Sequence, residues 1–491
     1  MKRAILLLTL GAGSLLCAAV TPASLFTNNA VLQREMPVPV WGTAAPGEEV
    51  EVSYAGQSVS CRADSTGNWS VELAPMPGNL SGEMVIKGVD NTHTLSNVVT
   101  GEVWMVGGQS NATMPLKMDL NGDKEAASAD LPSLREFRVG ICAAEEPQTS
   151  CKGSWSVCSP KTAGNYSAMG YFFGRQIMEA LDVPVGLLNC NKGGAPLFSM
   201  MSRETFEASP HAGRVQAYMD AAAQRWEKRQ RETRAKMHQE PGEAPMSPYG
   251  PGGFSRASVL FNGMVHPMIP YAMRGALWNQ GEADIALNAT YKDMLADMIK
   301  DWRARWGQPN LPFYVVQLAN ISDKWSYDPS GKCWPLMREA QALIQEVPNV
   351  WTAVSIDIGW LNDRHPKNKR ELGRRLALLA LAETYGKDVA AHSPFFKQAE
   401  IKGGKIVCAF DGGAKGLKTS DGKAPGALEI AWEDGKFVPA EGRIEGETLV
   451  VWSPEVSQPK IARYAWSNAA EGANLVNAAG LPCSPFRTGK W

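Results

Sequence analysis

The chain has 491 residues, about three domains' worth at roughly 150 residues each. With 44% hydrophobic and 20% charged residues it can bury a core, which excludes a disordered chain. Its 49 Lys and Arg balance 50 Asp and Glu, for a formal net charge of −1, and this argues against nucleic acid or an anionic membrane surface as a partner, either of which needs a basic face.

Lys2 and Arg3 open a stretch, Ala4 to Val20, that is apolar but broken by Gly11, Gly13 and Ser14. Ala19 and Ala23 are small residues suited to cleavage, so residues 1–23 read as a secretory signal and the mature chain is expected in the periplasm or outside the cell. Leu16 before Cys17 argues against a lipoprotein site. No other run reaches the ~18 apolar residues of a spanning helix, so no membrane span is expected. Eight further cysteines permit disulfides in an exported chain, with Cys142, Cys151 and Cys158 close enough for a local bridge. No Cys/His spacing fits a zinc site.

Residues 24–100 read as an N-terminal β domain of sandwich or jelly-roll type. Short alternating runs at Val38–Trp41, Glu49–Ser53, Trp69–Leu73 and Met84–Lys87 are separated by Gly, Pro and Ser turns. From Gly101 to about residue 395 the pattern changes to apolar strands alternating with helices. Val103–Val106, Val185–Asn189, Ala276–Trp278, Phe313–Gln317 and Trp351–Ile356 read as strands. Tyr166–Leu181, Tyr291–Trp306, Trp334–Gln345 and Asn368–Glu383 read as helices. This alternation predicts an α/β fold, a mainly parallel sheet with helices on both faces. An insertion at about 205–257 carries a charged helix with Val215, Met219, Ala222 and Trp226 at helical spacing, followed by a Pro/Gly/Met-rich loop. Residues 396–491 return to β patterning and are expected to pack against the rest.

Three segments sit just after predicted strands, where open α/β sheets place their ligands. In Gly107-Gly-Gln-Ser-Asn111, a serine on a tight turn presents its Oγ and its own N–H to one space, as an acyl-transfer nucleophile requires. In Trp278-Asn-Gln-Gly-Glu-Ala-Asp284, Gln280 offers an amide donor for an oxyanion. Glu282 and Asp284 alternatively suggest a glycosidase carboxylate pair, or a loop in which Glu282 braces its neighbours. In Asp363-Arg-His365, a histidine follows a strand end with Asp363 and Asp357 nearby to orient it. Of the six histidines, only His365 is so placed. Gly193-Gly194, after another strand, offers a second backbone donor.

Together these stretches resemble the sialate O-acetylesterase family, whose catalytic domain belongs to the SGNH (GDSL-like) hydrolases. The matching segments are Gly101–Asn111, Asn262–Pro267, Trp278–Glu282 and Asp363–Lys369, with Val31–Arg34, Val38–Gly42, Arg463–Trp466 and Leu481–Thr488 toward the ends. The resemblance implies Ser110 as nucleophile and His365 as base. It implies an oxyanion hole from Ser110, Gly193 or Gly194, and Gln280, with Gln109, Asn111 and Glu282 in support. The mechanism it implies needs neither metal nor organic cofactor. Asn362 stands where many relatives carry Asp, which leaves Asp363, another Asp or a backbone carbonyl to orient His365. The stretch Asn191–Phe198 lacks a Trp that relatives carry beside the paired glycines. The implied function is a secreted carbohydrate O-acetylesterase acting on O-acetylated sialic acids. The competing readings are an esterase for another acetylated glycan such as xylan, a non-catalytic sugar-binding protein, and the Glu282/Asp284 glycosidase.

Overall fold

A computed structural model describes residues 19–236, 247–326, 328 and 330–489. Most of the expected signal, with Cys17, lies outside the described residues, as does part of the Pro/Gly/Met-rich loop.

The N-terminal region contains β1 (Thr21–Pro22), β2 (Val31–Gln33), β3 (Val38–Thr43), β4 (Glu49–Tyr54), β5 (Gln57–Arg62), β6 (Asn68–Leu73), β7 (Ser81–Lys87) and β8 (Thr92–Gly108). β1, β3 and β6 form one sheet; β4, β5, β7, β2 and the first half of β8 form a second. Alternate residues such as Trp69, Val71 and Leu73 of β6 and Val50 and Val52 of β4 face a common core. β5 escapes the sequence pattern because it is a polar strand, Gln-Ser-Val-Ser-Cys-Arg, set by its turn: Ala55 and Gly56 both have positive φ, the geometry of a tight hairpin. Val20 is fully buried and its N–H donates to Asn91 Oδ1 at 2.9 Å. Ala23 therefore follows a strand already paired into the sheet, whereas Ala19 precedes it.

β8 is one uninterrupted strand of 17 residues. Its first half pairs with β7 and β2, and its second half lies at the centre of the main sheet. The boundary read at residues 100/101 thus falls inside a strand. No linker is needed, because one backbone serves both regions.

The main sheet adds β9 (Leu131–Arg138), β10 (Trp155–Cys158), β11 (Val185–Asn191), β12 (Gly275–Asn279), β13 (Phe313–Val316) and β14 (Val350–Ala353), in the order β10-β9-β11-β8-β12-β13-β14. All neighbours are parallel except β10. The helices are α1 (Ser110–Thr113), α2 (Gly122–Ser128), α3 (Ala168–Leu181), α4 (Arg203–Ala208), α5 (Ala212–Lys236), α6 (Asn288–Arg305), α7 (Asp323–Ser326), α8 (Cys333–Leu343) and α9 (Lys369–Glu383). Strand residues alternate between two cores. Trp104, Val106, Leu187 and Tyr314 pack with α3 and α9, while Val103, Met105, Trp278 and Phe313 pack with α6 and α8. The sheet is therefore covered on both faces, as the apolar runs require. The chain leaves β8 toward β9 and β11 on one side and returns to β12 on the other, which opens a crevice at the carboxyl end of β8. In the insertion, Val215, Met219 and Ala222 of α5 are buried.

Residues 396–487 form two four-stranded antiparallel sheets and one two-stranded pair, and their core takes in Val354 and Ile356 beyond β14. Arg338 of α8 is fully buried at this junction, donating to the carbonyls of Leu318, Ala319, Ser467 and Asn468 at 2.6–2.9 Å. The disulfides that the cysteine count permits are not formed: all eight described cysteines are free thiols, and Cys142 is exposed while Cys151 and Cys158 are buried.

Candidate active site

Ser110 opens α1 directly beyond the end of β8. The turn is tight because Gly108 adopts φ +127° against β12: a Cβ there would lie 2.1 Å from the Asn279 carbonyl oxygen. Gln109 N–H donates to that same carbonyl at 3.0 Å. Thr113 anchors the other end of α1 through a hydrogen bond to Asn191 at the end of β11. These contacts hold Ser110 at the crevice between β11, β8 and β12.

The loop after β14 brings His365 to the serine, with Nε2 3.0 Å from Ser110 Oγ. Asp363 Oδ1 lies 3.4 Å from His365 Nδ1 and accepts the His365 backbone N–H at 2.9 Å. Asp363 thus folds the loop around its own carboxylate and leaves that carboxylate beside the imidazole. Asp357 is committed elsewhere, in a two-pronged ion pair with Arg375 at 2.6 and 2.7 Å. Asn362 is exposed.

Beneath the loop lies a charged cluster. Asn111 Nδ2 donates to Glu282 at 2.5 Å and to the Arg364 carbonyl at 2.9 Å, while its Oδ1 accepts from Lys369 Nζ at 2.7 Å. Asn111 therefore ties the serine turn, the end of β12 and the histidine loop together. Burial lowers the Lys369 ammonium to about 8, against the pull of Glu282, Asp119 and Asp363. Burial also raises the Glu282 carboxyl. Lys369 had no distinctive signal in sequence, because a lysine in the first turn of a charged helix ordinarily reads as solvated.

Gly193 stands against the serine: a Cβ on it would lie 3.7 Å from Ser110 Cβ. Gly194, at φ +72°, faces Phe254 instead. Lys192 Nζ donates to the Gly193 carbonyl at 2.8 Å and sits 3.7 Å from the Phe254 ring centre. Gln280 differs from expectation. Its side chain is buried, and its Nε2 donates to Asp284 at 2.5 Å and to Gln109 Oε1 and the Ala195 carbonyl at 3.2 Å. With those acceptors the amide ties together the Gln109 side chain, the Ala195 carbonyl and Asp284. Asp284 is likewise a brace, accepting from Leu197 N–H at 2.8 Å. Glu282 and Asp284 thus engage different partners, which leaves no carboxylate pair facing an open cleft.

Burial pushes the Asp284 carboxyl up to about 6, partly offset by its bonds from Leu197 and Gln280. The folded group holds its proton up to about pH 6, whereas the unfolded one releases it near 3.8, so the native state loses stability as pH rises through that window. Asp284→Asn keeps the accepting oxygen and places its amide where Oδ1 has no partner. This variant removes the ionisation, so its stability is expected to fall less than that of wild type as pH rises from about 4 to 7. Urea unfolding across that range checks it.

Among the described residues, no group of three or more His, Cys, Asp or Glu lies together as a metal site. No helix among them is long and apolar enough to cross a membrane.

A family model described as carbohydrate esterase, sialic acid-specific acetylesterase, matches residues 253–382, a span that includes Gln280 and His365 but not Ser110. Sialate O-acetylesterase of Mus musculus is 30% identical over 425 residues, covering 77% of this chain and 76% of that protein. The Homo sapiens sialate O-acetylesterase is 28% identical, covering 77% and 74%. A crystal structure of a carbohydrate acetylesterase from Xanthomonas citri superposes with a TM-score of 0.84 at 32% identity, over 96% of this chain and all of that one. On this identity and coverage, the chain belongs to the sialate O-acetylesterase family and is a carboxylesterase of the carbohydrate acetylesterase type.

Proposed function

We propose that this esterase removes acetyl groups from O-acetylated sialic acids by two-step acyl transfer, with Ser110 as nucleophile and His365 as general base. The 3.0 Å approach of His365 Nε2 to Ser110 Oγ carries the reading. Ser110 Oγ attacks the acetyl carbonyl carbon as its proton passes to His365 Nε2. The oxyanion is held by the Ser110 N–H and by the glycine turn, where Gly193 lies nearest. Each good donor of this kind is typically worth about 3–4 kcal/mol of barrier. His365 then protonates the departing sugar oxygen. Water, deprotonated by His365, attacks the acetyl-enzyme; acetate leaves and Ser110 recovers its proton. Gln280 and Asp284 serve this step by holding Ala195 and Leu197, just beyond the glycine turn.

Sialic acid as the sugar is supported by the names of the relatives at 28–30% identity. Assay of the purified protein on O-acetylated sialic acid beside acetylated xylan tests it. Turnover of the xylan alone would keep the chemistry and replace the sugar. Export belongs to the same proposal. Cleavage after Ala19 would keep the β1–β3 pairing, whereas cleavage after Ala23 would remove it, and N-terminal sequencing of the secreted protein distinguishes them.

Asp363 is offset from Nδ1 and partly open to solvent, so its electrostatic support of the imidazolium is screened. Asp363→Asn is expected to lower kcat about 10- to 100-fold, well short of the ~10⁴-fold seen where the triad acid is buried and aligned. Steady-state kinetics across pH 6–9 measures this.

A further inference from the structure

Among the described residues, nine large apolar side chains stand exposed, and four of them, Met118, Leu120, Trp325 and Trp360, are carried by segments that bond to the His365 loop or belong to it. Asp363 N–H donates to the Trp360 carbonyl at 3.2 Å, Arg364 Nη2 donates to the Trp325 carbonyl at 3.2 Å, and Leu120 N–H donates to the Lys367 carbonyl at 3.0 Å. Trp325 follows β13 and Trp360 follows β14, so both lie beyond the carboxyl ends of the parallel strands, as Ser110 lies beyond that of β8. They are 38% and 39% exposed. Indole is large and apolar, and single scattered surface tryptophans need no explanation; two on the rim of one catalytic loop do.

The rim is also cationic. Lys324 Nζ lies 5.9 Å from the Trp325 ring centre and Lys367 Nζ 5.3 Å from that of Trp360. The carboxylates of the same loops have other partners: Asp323 accepts from Asn468, and Asp363 faces His365.

We propose that Trp325 and Trp360 form a platform that takes the pyranose ring of the acetylated substrate on its apolar faces. In the same subsite Lys324 and Lys367 favour a sugar that carries a carboxylate. The inference rests on Ser110 and His365 being the reacting pair, since they define where the acetyl group sits. Ring C–H faces against indole supply affinity without fixing one linkage, and ammonium groups within a Debye length of the bound sugar add charge selection.

The test compares kcat/KM on O-acetylated sialic acid with kcat/KM on p-nitrophenyl acetate, which has no sugar to stack. In folded Trp325→Ala and Trp360→Ala, checked by circular dichroism, that ratio is expected to fall about tenfold, through KM rather than kcat. Trp360→Phe is expected to restore most of it. In Lys324→Gln/Lys367→Gln, the preference for O-acetylated sialic acid over an acetylated xylo-oligosaccharide is expected to fall severalfold at low salt, and less at high salt. Ratios unchanged in both tryptophan variants would overturn the platform, and an unchanged preference in the double lysine variant would overturn the charge selection. Retained turnover in Ser110→Ala would instead remove the mechanism, a failure distinct from either.

Discussion

Ser110→Ala is expected to lower kcat on an acetyl ester by about 10⁵-fold, leaving a folded protein with no more than the residual catalysis of its binding site. The reason is that, among the described residues, no other group is placed to form the acyl bond. Glu282 and Asp284 are occupied with Asn111, Gln280 and Leu197, and Lys192 Nζ is held by the Gly193 carbonyl. His365→Ala is expected to match that loss, and the double variant to add little, because nucleophile and base act as one unit. Hydrolysis of p-nitrophenyl acetate by the three variants measures both statements. A glycosidase built on Glu282 would survive Ser110→Ala, so the same experiment separates the two chemistries.

Arg338→Leu is expected to destabilise the protein by about 3–5 kcal/mol. Among the described residues, no carboxylate pairs with the guanidinium. It is held by four carbonyl oxygens, two from the segment after β13 and two from the C-terminal region. Removing it strands those oxygens in a buried junction, and leucine offers them nothing. Burial lowers the guanidinium to about 9. Loss should appear in urea unfolding as a lower midpoint. It should also weaken the site, because Ile321 N–H donates to the Asn468 carbonyl and the segment leads directly to Trp325.

The parallel strands and their helices were legible because an apolar run of β length next to a 3.6-residue period has one economical packing. Ser110 and His365 were legible for a second reason: each follows such a strand, and strand ends converge. The residue that orients His365 is open in sequence between Asp363 and its alternatives, and the geometry shows why. Asp363 lies close to Nδ1 without the alignment of a strong bond. What sequence could not show is where buried charges go. Lys369 and Arg338 sit in helices whose other charges face water, and nothing in periodicity separates a lysine that reaches Asn111 from one that reaches solvent. Gln280 was identified as a donor, but its acceptor depends on the placement of Asp284, four residues on, and on Ala195, brought in from another strand end. β5 was missed because its turn, rather than its hydrophobicity, makes it a strand.

The single strand that runs from Thr92 to Gly108 gives this enzyme a rigid beam where other modular proteins have a hinge. The N-terminal sandwich cannot swing, be shuffled to another scaffold or be trimmed away without cutting the strand that delivers Ser110. Any change in the fold of the accessory region is therefore also a change in the position of Ser110, the proposed nucleophile. Variation in which glycans are accepted is correspondingly left to the loops beyond the strand ends, where residues can change without bending the beam.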